Sequence, residues 1–191
     1  TSQSTFNKTL VLANTAYDIA LTLRSAQTFG LGSRVAGASL NAGYGLHFES
    51  ATPGSFTLFA DTFSAPSVTS VCHPASDASA PNARPGNCAY DALYGANQSE
   101  KVTDYVLGNG MTVSDFCAFS IGAWSCDLSS LDIVFSRPNT DPFMSKNGEY
   151  SAEVPVTAAC LTVTSPQGGT QFISVGASGQ IIANATSNPL S

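Results

Sequence analysis

Five cysteines are the residues of this sequence with the most evident chemistry. They stand at Cys72, Cys88, Cys117, Cys126 and Cys160, and none belongs to a Cys-x-x-Cys pair. Because the chain has only two histidines, this spacing does not fit a zinc site. An odd number leaves at most two internal disulfides. We predict the local pairs Cys72–Cys88 and Cys117–Cys126, with Cys160 free, although spacing alone leaves other connectivities open.

The two histidines, His47 and His73, are the candidates for acid–base chemistry. A Ser-His-Asp hydrolase could be drawn with His47 and Asp61. However, the sequence has no Gly-x-Ser-x-Gly elbow, and a triad is defined by geometry rather than by residue types. We expect His47 to be a partly buried strand residue and His73 to be solvated. We therefore predict no catalytic residue, no enzyme activity and no cofactor.

Carboxylates are the remaining candidates for ion binding. Asp127 and Asp132 flank a short segment, and Asn139-Thr140-Asp141 could offer oxygen ligands to Ca²⁺. That stretch lacks the regular acidic spacing and the fixed glycine of a calcium loop. A turn stabilised by Asn and Asp side chains is the preferred interpretation. The sequence also has no Gly-rich phosphate loop, so we predict no metal or phosphate site.

Composition and charge restrict the classes of partner. The chain has 191 residues, of which 10% are charged, and its formal net charge is −6. Usual charged content is about 25%, so the surface is polar but weakly charged, as in many exported β-rich proteins. The acidic balance argues against nucleic acid and against an anionic membrane surface as partners. The basic residues are scattered: Lys8, Arg24, Arg34, Arg84, Lys101, Arg137 and Lys146.

One long helix is predicted at residues 5–29, because Thr5 to Thr28 contains neither Pro nor Gly. Its apolar residues cover well over half of the circumference. One apolar face comprises Phe6, Leu10, Ala13, Tyr17, Ala20 and Leu21. The adjoining face comprises Leu12, Ala16, Ile19, Leu23 and Ala26. We predict that this second face contacts either the β body or a neighbouring molecule, and in the second case it would be the assembly face. No apolar run approaches the roughly 18–20 residues that a membrane span needs.

Residues 43–183 are predicted to form an antiparallel β body. Short β-branched and aromatic runs alternate there with Gly and Pro turns. A Pro-, Ala- and Ser-rich stretch, residues 64–97, is predicted as a surface loop insertion. The whole chain, 1–191, is predicted as one domain of the α+β class, with a long N-terminal helix packed on the β body.

Several segments, in order, resemble a known family. The segment Leu23-Arg24-Ser25-Ala26-Gln27 is similar to the Leu-Arg-x-Ala-Arg/Gln pattern in the ectodomain helix of minor pilins and pseudopilins of the GspH/FimT type. Later strands of that family resemble the segments Gly43–Phe48, Phe56–Asp61, Asp132–Pro138 and Phe172–Ile181. Two departures stand out: the very apolar, glutamate-containing N-terminal signature is absent, and the insertion is larger than the family pattern.

The resemblance implies a single pilin-like ectodomain whose β body has two sheets. It further implies a minor structural subunit of a type IV pilus or a type II secretion filament. Its partners would be other pilin subunits, and its place the cell surface. Before assembly it would be anchored in the inner membrane through an N-terminal segment that this sequence lacks.

Two other functions were weighed against the filament subunit. A surface adhesin could use the 64–97 loop to bind a host surface or a glycan, since long loops often carry function. A DNA-binding pilin would need clustered Lys and Arg, which the scattered basic residues do not provide.

Overall fold

A computed structural model of the chain describes residues 2–32, 36, 41–63, 72, 84–94 and 98–184. Its first element is the helix α1, from Ser2 to Leu31, slightly longer at both ends than predicted. Without Pro or Gly before its last turn, nothing interrupts the backbone hydrogen bonds of the helix. At its end, the Gly32 N–H donates to the Thr28 carbonyl at 2.9 Å.

Ten strands follow in the described part of the chain. They are β1 (Gly43–Glu49), β2 (Ser55–Asp61), β3 (Lys101–Val106), β4 (Thr112–Ser120), β5 (Ala123–Ser125), β6 (Ser130–Phe135), β7 (Phe143–Lys146), β8 (Ala158–Thr164), β9 (Thr170–Gly176) and β10 (Ile181–Asn184). A single 3-10 turn, Gly108–Gly110, lies between β3 and β4.

The strands form two antiparallel sheets of five strands each. The first has the order β3-β2-β1-β6-β7 and the second the order β10-β9-β8-β4-β5. In the first sheet, Leu46 of β1 lies opposite Leu58 of β2 on one side and Ile133 of β6 on the other. All three side chains belong to the buried core, so this register gives the sheet one apolar face.

The helix closes the core between the two sheets. It contacts β1 and β6 of the first sheet and β8, β9 and β10 of the second. Near its end, a methyl group at Gly30 would overlap the carbonyl of Phe135 in β6. Only glycine permits so close an approach of helix and strand backbones.

The predicted α+β class with a pilin-like body is wrong. The N-terminal helix and the antiparallel pairing are present, but two equal five-stranded sheets dominate the structure, which is mostly β. The prediction overweighted the helix because its apolar periodicity is the strongest signal in the sequence. Strands as short as β5 and β7, of three and four residues, leave little periodic signal.

One segment of the predicted β body has a strand-like pattern but does not form a strand. Residues 151–157 carry alternating apolar positions, yet they form bends and coil. The Val154 N–H donates to the Ser151 hydroxyl at 3.1 Å, and Pro155 has no N–H to contribute to a sheet. Most of the predicted 64–97 insertion, including His73, lies outside the described residues. No helix within the described ranges has the length and hydropathy that crossing a membrane requires.

Candidate functional site

The predicted assembly face of α1 lies inside the molecule. Its five residues are at most 3% exposed and pack in the core against the two sheets: Leu12, Ala16, Ile19, Leu23 and Ala26. This face is therefore not available to a neighbouring subunit. The other apolar face is divided, because Ala20 is buried whereas the four large side chains of that face are exposed.

The outer stripe of α1 consists of Phe6, Leu10, Tyr17 and Leu21. These side chains are 67%, 48%, 52% and 42% exposed, respectively. At about 100° per residue they fall within an arc of about 60°, on nearly the opposite side from the buried face. A monomer rarely leaves such an ordered set of large apolar side chains in water without a function for it.

The N-terminal end of α1 stands clear of the sheets. Every residue from Phe6 to Leu10 is exposed, and Leu12 is the first buried position after them. A helical end of this length has little stability of its own, because short isolated helices are marginal in water. A partner that covers this end would contribute the missing packing.

A groove runs beside the outer stripe, between α1 and the edge of the first sheet. Its volume is about 390 Å³, and its apolar wall includes Leu21, Phe56, Tyr105 and Val106. The rings of Phe56 and Tyr105 stack with their centroids 5.1 Å apart. On the other side of the helix, Arg24 donates to the Ile181 carbonyl at 3.2 Å, which fixes α1 to β10.

A second feature is the strap, defined as the described segment 84–94 that crosses the outer face of the first sheet. The buried carboxylate of Asp61 accepts hydrogen bonds from the Asn87 and Cys88 N–H groups, both at 2.9 Å. Gly86 has a φ of +112°, and a methyl group there would overlap this carboxylate. Glycine is therefore required where the strap passes over Asp61.

Glu100 anchors the strap a second time. It accepts from the N–H groups of Thr62, Phe63 and Asp91 at 2.7–2.8 Å. Burial raises the pKa of Glu100 to about 7, against the opposing effect of these hydrogen bonds. Burial and the nearby charge of Glu100 also raise the pKa of Asp61 well above its ordinary value.

His47 lies beneath the strap and pairs with Asp132, not with Asp61. Its Nδ1 is 2.7 Å from the Asp132 carboxylate, and its Nε2 is 3.5 Å from Glu49. Burial works to lower the pKa of His47, but the bonds to these two carboxylates outweigh it and leave the pKa raised. The hydroxyl opposite His47, on Thr57, donates to Asp104 at 2.8 Å. The hydrolase drawn from His47 and Asp61 therefore has no geometric support among the described residues.

The cysteines join as the local pairs expected from the sequence. Cys72 is bonded to Cys88, and Cys117 to Cys126, while Cys160 is a buried free thiol. Two carboxylates approach these bridges closely, Asp61 at the first and Asp115 at the second. The sulfurs there are disulfide-bonded and offer no thiolate to a metal ion.

The acidic residues considered for Ca²⁺ do not gather around one point of the surface. Asp132 is buried beside His47, whereas Asp127 and Asp141 are exposed in other segments. Glu100, Asp91 and the strap geometry were missed by sequence reasoning. The available signal was the placement of Asp61 and Glu100 on either side of a long loop.

Comparison with protein-family models, with curated proteins and with solved structures yields no match for this chain. A functional conclusion therefore rests on the fold, on the outer stripe of α1 and on the strap alone.

Proposed function

We propose that this protein is a structural subunit of an extracytoplasmic filament, of the type IV pilus or type II secretion kind, and that it assembles through the outer stripe of α1. The observation that carries the proposal is the exposure of Phe6, Leu10, Tyr17 and Leu21 on a helix whose opposite face is fully buried. The proposal rests on this surface and not on a pilin-like fold.

The spacing of the stripe supports a second copy of the chain as the partner. Phe6 and Leu10 are repeated, eleven residues later, by Tyr17 and Leu21. Sliding one helix along a parallel copy by three turns, about 16 Å, brings the first pair of one copy against the second pair of the next. Burying each such side chain stabilises the contact by about 1.5–3 kcal/mol.

This staggered contact does not close on itself. Phe6 and Leu10 of one helix pack against Tyr17 and Leu21 of the next helix. Tyr17 and Leu21 of the first helix are covered in turn by Phe6 and Leu10 of a third copy. A heterologous contact that repeats in this way builds a filament rather than a dimer. The two disulfides favour an oxidising, extracytoplasmic setting for the assembly.

The test replaces Tyr17 by Glu in source cells in which the variant is the only copy of the chain. We expect the variant to fold but to be lost from filaments sheared from the cell surface, measured by peptide mass mapping. Desolvating the added carboxylate in an apolar contact causes the loss. Ser25→Glu, which adds the same charge to an exposed polar position of α1, serves as the control.

Two outcomes would remove the proposal. One is a wild-type amount of the Tyr17→Glu chain in sheared filaments. The other is the absence of wild-type peptides from filaments when the protein is found in cell envelopes or medium. A matching loss for Ser25→Glu would show that charge alone, and not the stripe, is the cause.

A further inference from the structure

The free thiol of Cys160 lies beside a disulfide. In the antiparallel pairing of β8 with β4, Cys160 is directly opposite Cys117. The flanking residues Phe116, Ala118, Ala159 and Leu161 point into the core between the sheets. Because side chains alternate along a strand, both cysteines lie on the other face of this sheet.

The geometry of the pair permits a bond between Cys117 and Cys160. Directly opposed residues of antiparallel strands have Cα atoms about 4.5 or 5.5 Å apart. Disulfides span Cα separations of about 4.4–6.8 Å. A bridge between these two strands therefore needs rotation of side chains but no movement of the backbone.

The three cysteines differ in access to solvent. Cys117 and Cys160 are each 1% exposed, whereas Cys126 is partly exposed and precedes the exposed Asp127. The cysteine whose sulfur would leave during an exchange is thus the most exposed of the three. Cys126 alone of the three could then meet an external reagent.

We propose that Cys160 is a built-in nucleophile for the Cys117–Cys126 disulfide and that the exchange turns Cys126 into a modification site for soft electrophiles and for the disulfides of partner molecules.

The exchange balances without an added oxidant or reductant. The Cys160 thiol loses its proton to water, and its sulfur attacks the Cys117 sulfur. The Cys117–Cys160 bond forms as the Cys117–Cys126 bond breaks, and the electron pair leaves on Cys126, which takes up a proton. One thiol and one disulfide are present before and after the step.

The surroundings of Cys160 make this exchange slow at neutral pH. Burial, reinforced by the charge of Asp115, raises the pKa of Cys160 to about 11. Only the thiolate attacks. As long as the pH is below this pKa, the thiolate fraction rises about tenfold for each unit by which the pH increases. Uncatalysed disulfide rearrangement takes minutes to hours, and we expect this exchange to fall at the slow end of that range.

The experiment incubates the folded full chain with excess iodoacetamide at pH 7, 8 and 9 without added thiol. Samples are quenched in acid, and the labelled peptides and disulfides are mapped by mass spectrometry. We expect label on Cys126 together with a Cys117–Cys160 disulfide, at a rate that rises about tenfold per pH unit. Label on Cys160 with Cys117–Cys126 intact would overturn the proposal, as would the absence of label after a day at pH 9.

Two variants separate the roles of the cysteines. Cys160→Ser retains the native disulfide, and we expect no label on Cys126; label at the wild-type rate would overturn the proposal. In Cys126→Ser, treatment with oxidised glutathione is expected to join Cys117 and Cys160 to each other in a disulfide. Two persistent free thiols in folded Cys126→Ser would likewise count against it. If that variant does not fold, the wild-type chain and Cys160→Ser decide the question.

Discussion

At the scale of single residues, the most informative groups are the carboxylates that hold the strap. Asp61 and Glu100 together accept five backbone N–H groups at 2.7–2.9 Å. Such bonds offset much of the cost of burying a carboxylate, but burial still raises the pKa of both groups. The strap is thus fixed by Glu100, whose protonation changes near pH 7, and by Asp61, whose pKa is also raised.

The free energy of unfolding should therefore fall as the pH rises from about 4.5 to above 7. Glu100 has a pKa of about 7 in the folded chain, against 4.5 as its ordinary value, so the folded state binds more protons between these limits. The contribution of Glu100 to the free energy of unfolding, about 3 kcal/mol, is fully present below pH 4.5 and is lost as pH rises through 7. The raised pKa values of Asp61 and His47 act in the same direction.

The measurement is the free energy of unfolding in urea between pH 4.5 and pH 8, for the wild type and for Glu100→Gln. We expect a smaller loss with pH in the variant, because an amide does not titrate. Glu149→Gln, at an exposed position, is the control and should keep the wild-type slope. An unchanged slope in Glu100→Gln would contradict the assignment of this pH dependence to Glu100.

At the scale of elements, α1 has two apolar faces with different roles. The face of Leu23 is buried between the sheets, and the outer stripe, which includes Leu21, is open to solvent. The residue pattern shows both faces as equally apolar, so it cannot rank them. Only the positions of β1, β6 and β8–β10 around the helix separate the core face from the outer face.

This separation predicts opposite effects for two leucines that are two positions apart. Leu23→Ala should lower the free energy of unfolding by about 2–5 kcal/mol, because it opens a cavity in the core. Leu21→Ala should change it by less than about 1 kcal/mol but reduce incorporation into filaments. Urea unfolding and filament mass mapping distinguish the two; equal losses of stability would contradict the division of faces.

At the scale of the whole molecule, the arrangement of copies follows from the stagger of the outer stripe. A parallel three-turn offset places Phe6 of one copy near Tyr17 of the next. A symmetric dimer would instead place equivalent residues together. Oxidative cross-linking of assembled filaments can separate these geometries, because a disulfide requires close Cα atoms.

Phe6→Cys with Tyr17→Cys, in a Cys160→Ser background, removes two rings of the stripe and should weaken assembly. We expect the copies that do assemble to yield a ladder of cross-linked multimers on a non-reducing gel. Each single cysteine should yield monomer, since its partner position lacks a thiol. Dimers from Phe6→Cys alone would show a closed contact and would contradict the filament geometry. Ser25→Cys, on the polar side of α1, is the control for random collision.

Much of the local structure could be predicted from the sequence. The helix and the antiparallel β body follow from periodicity and glycine placement, whereas the two local disulfide pairs are one of several connectivities that the spacing allows. These properties depend on neighbouring residues, which the sequence places together. Residues 151–157 are the exception, because the Ser151 hydroxyl and Pro155 oppose an otherwise strand-like pattern.

The tertiary structure alone decided the fold class, the free face of α1 and the partners of the buried carboxylates. Each depends on contacts between residues far apart in the chain: Phe135 with Gly30, Asp132 with His47, Cys160 with Cys117. The sequence by itself determined a weakly charged chain with one long apolar helix, a β body and five cysteines. It did not determine which apolar face remains in water, because burial is a property of the packed molecule.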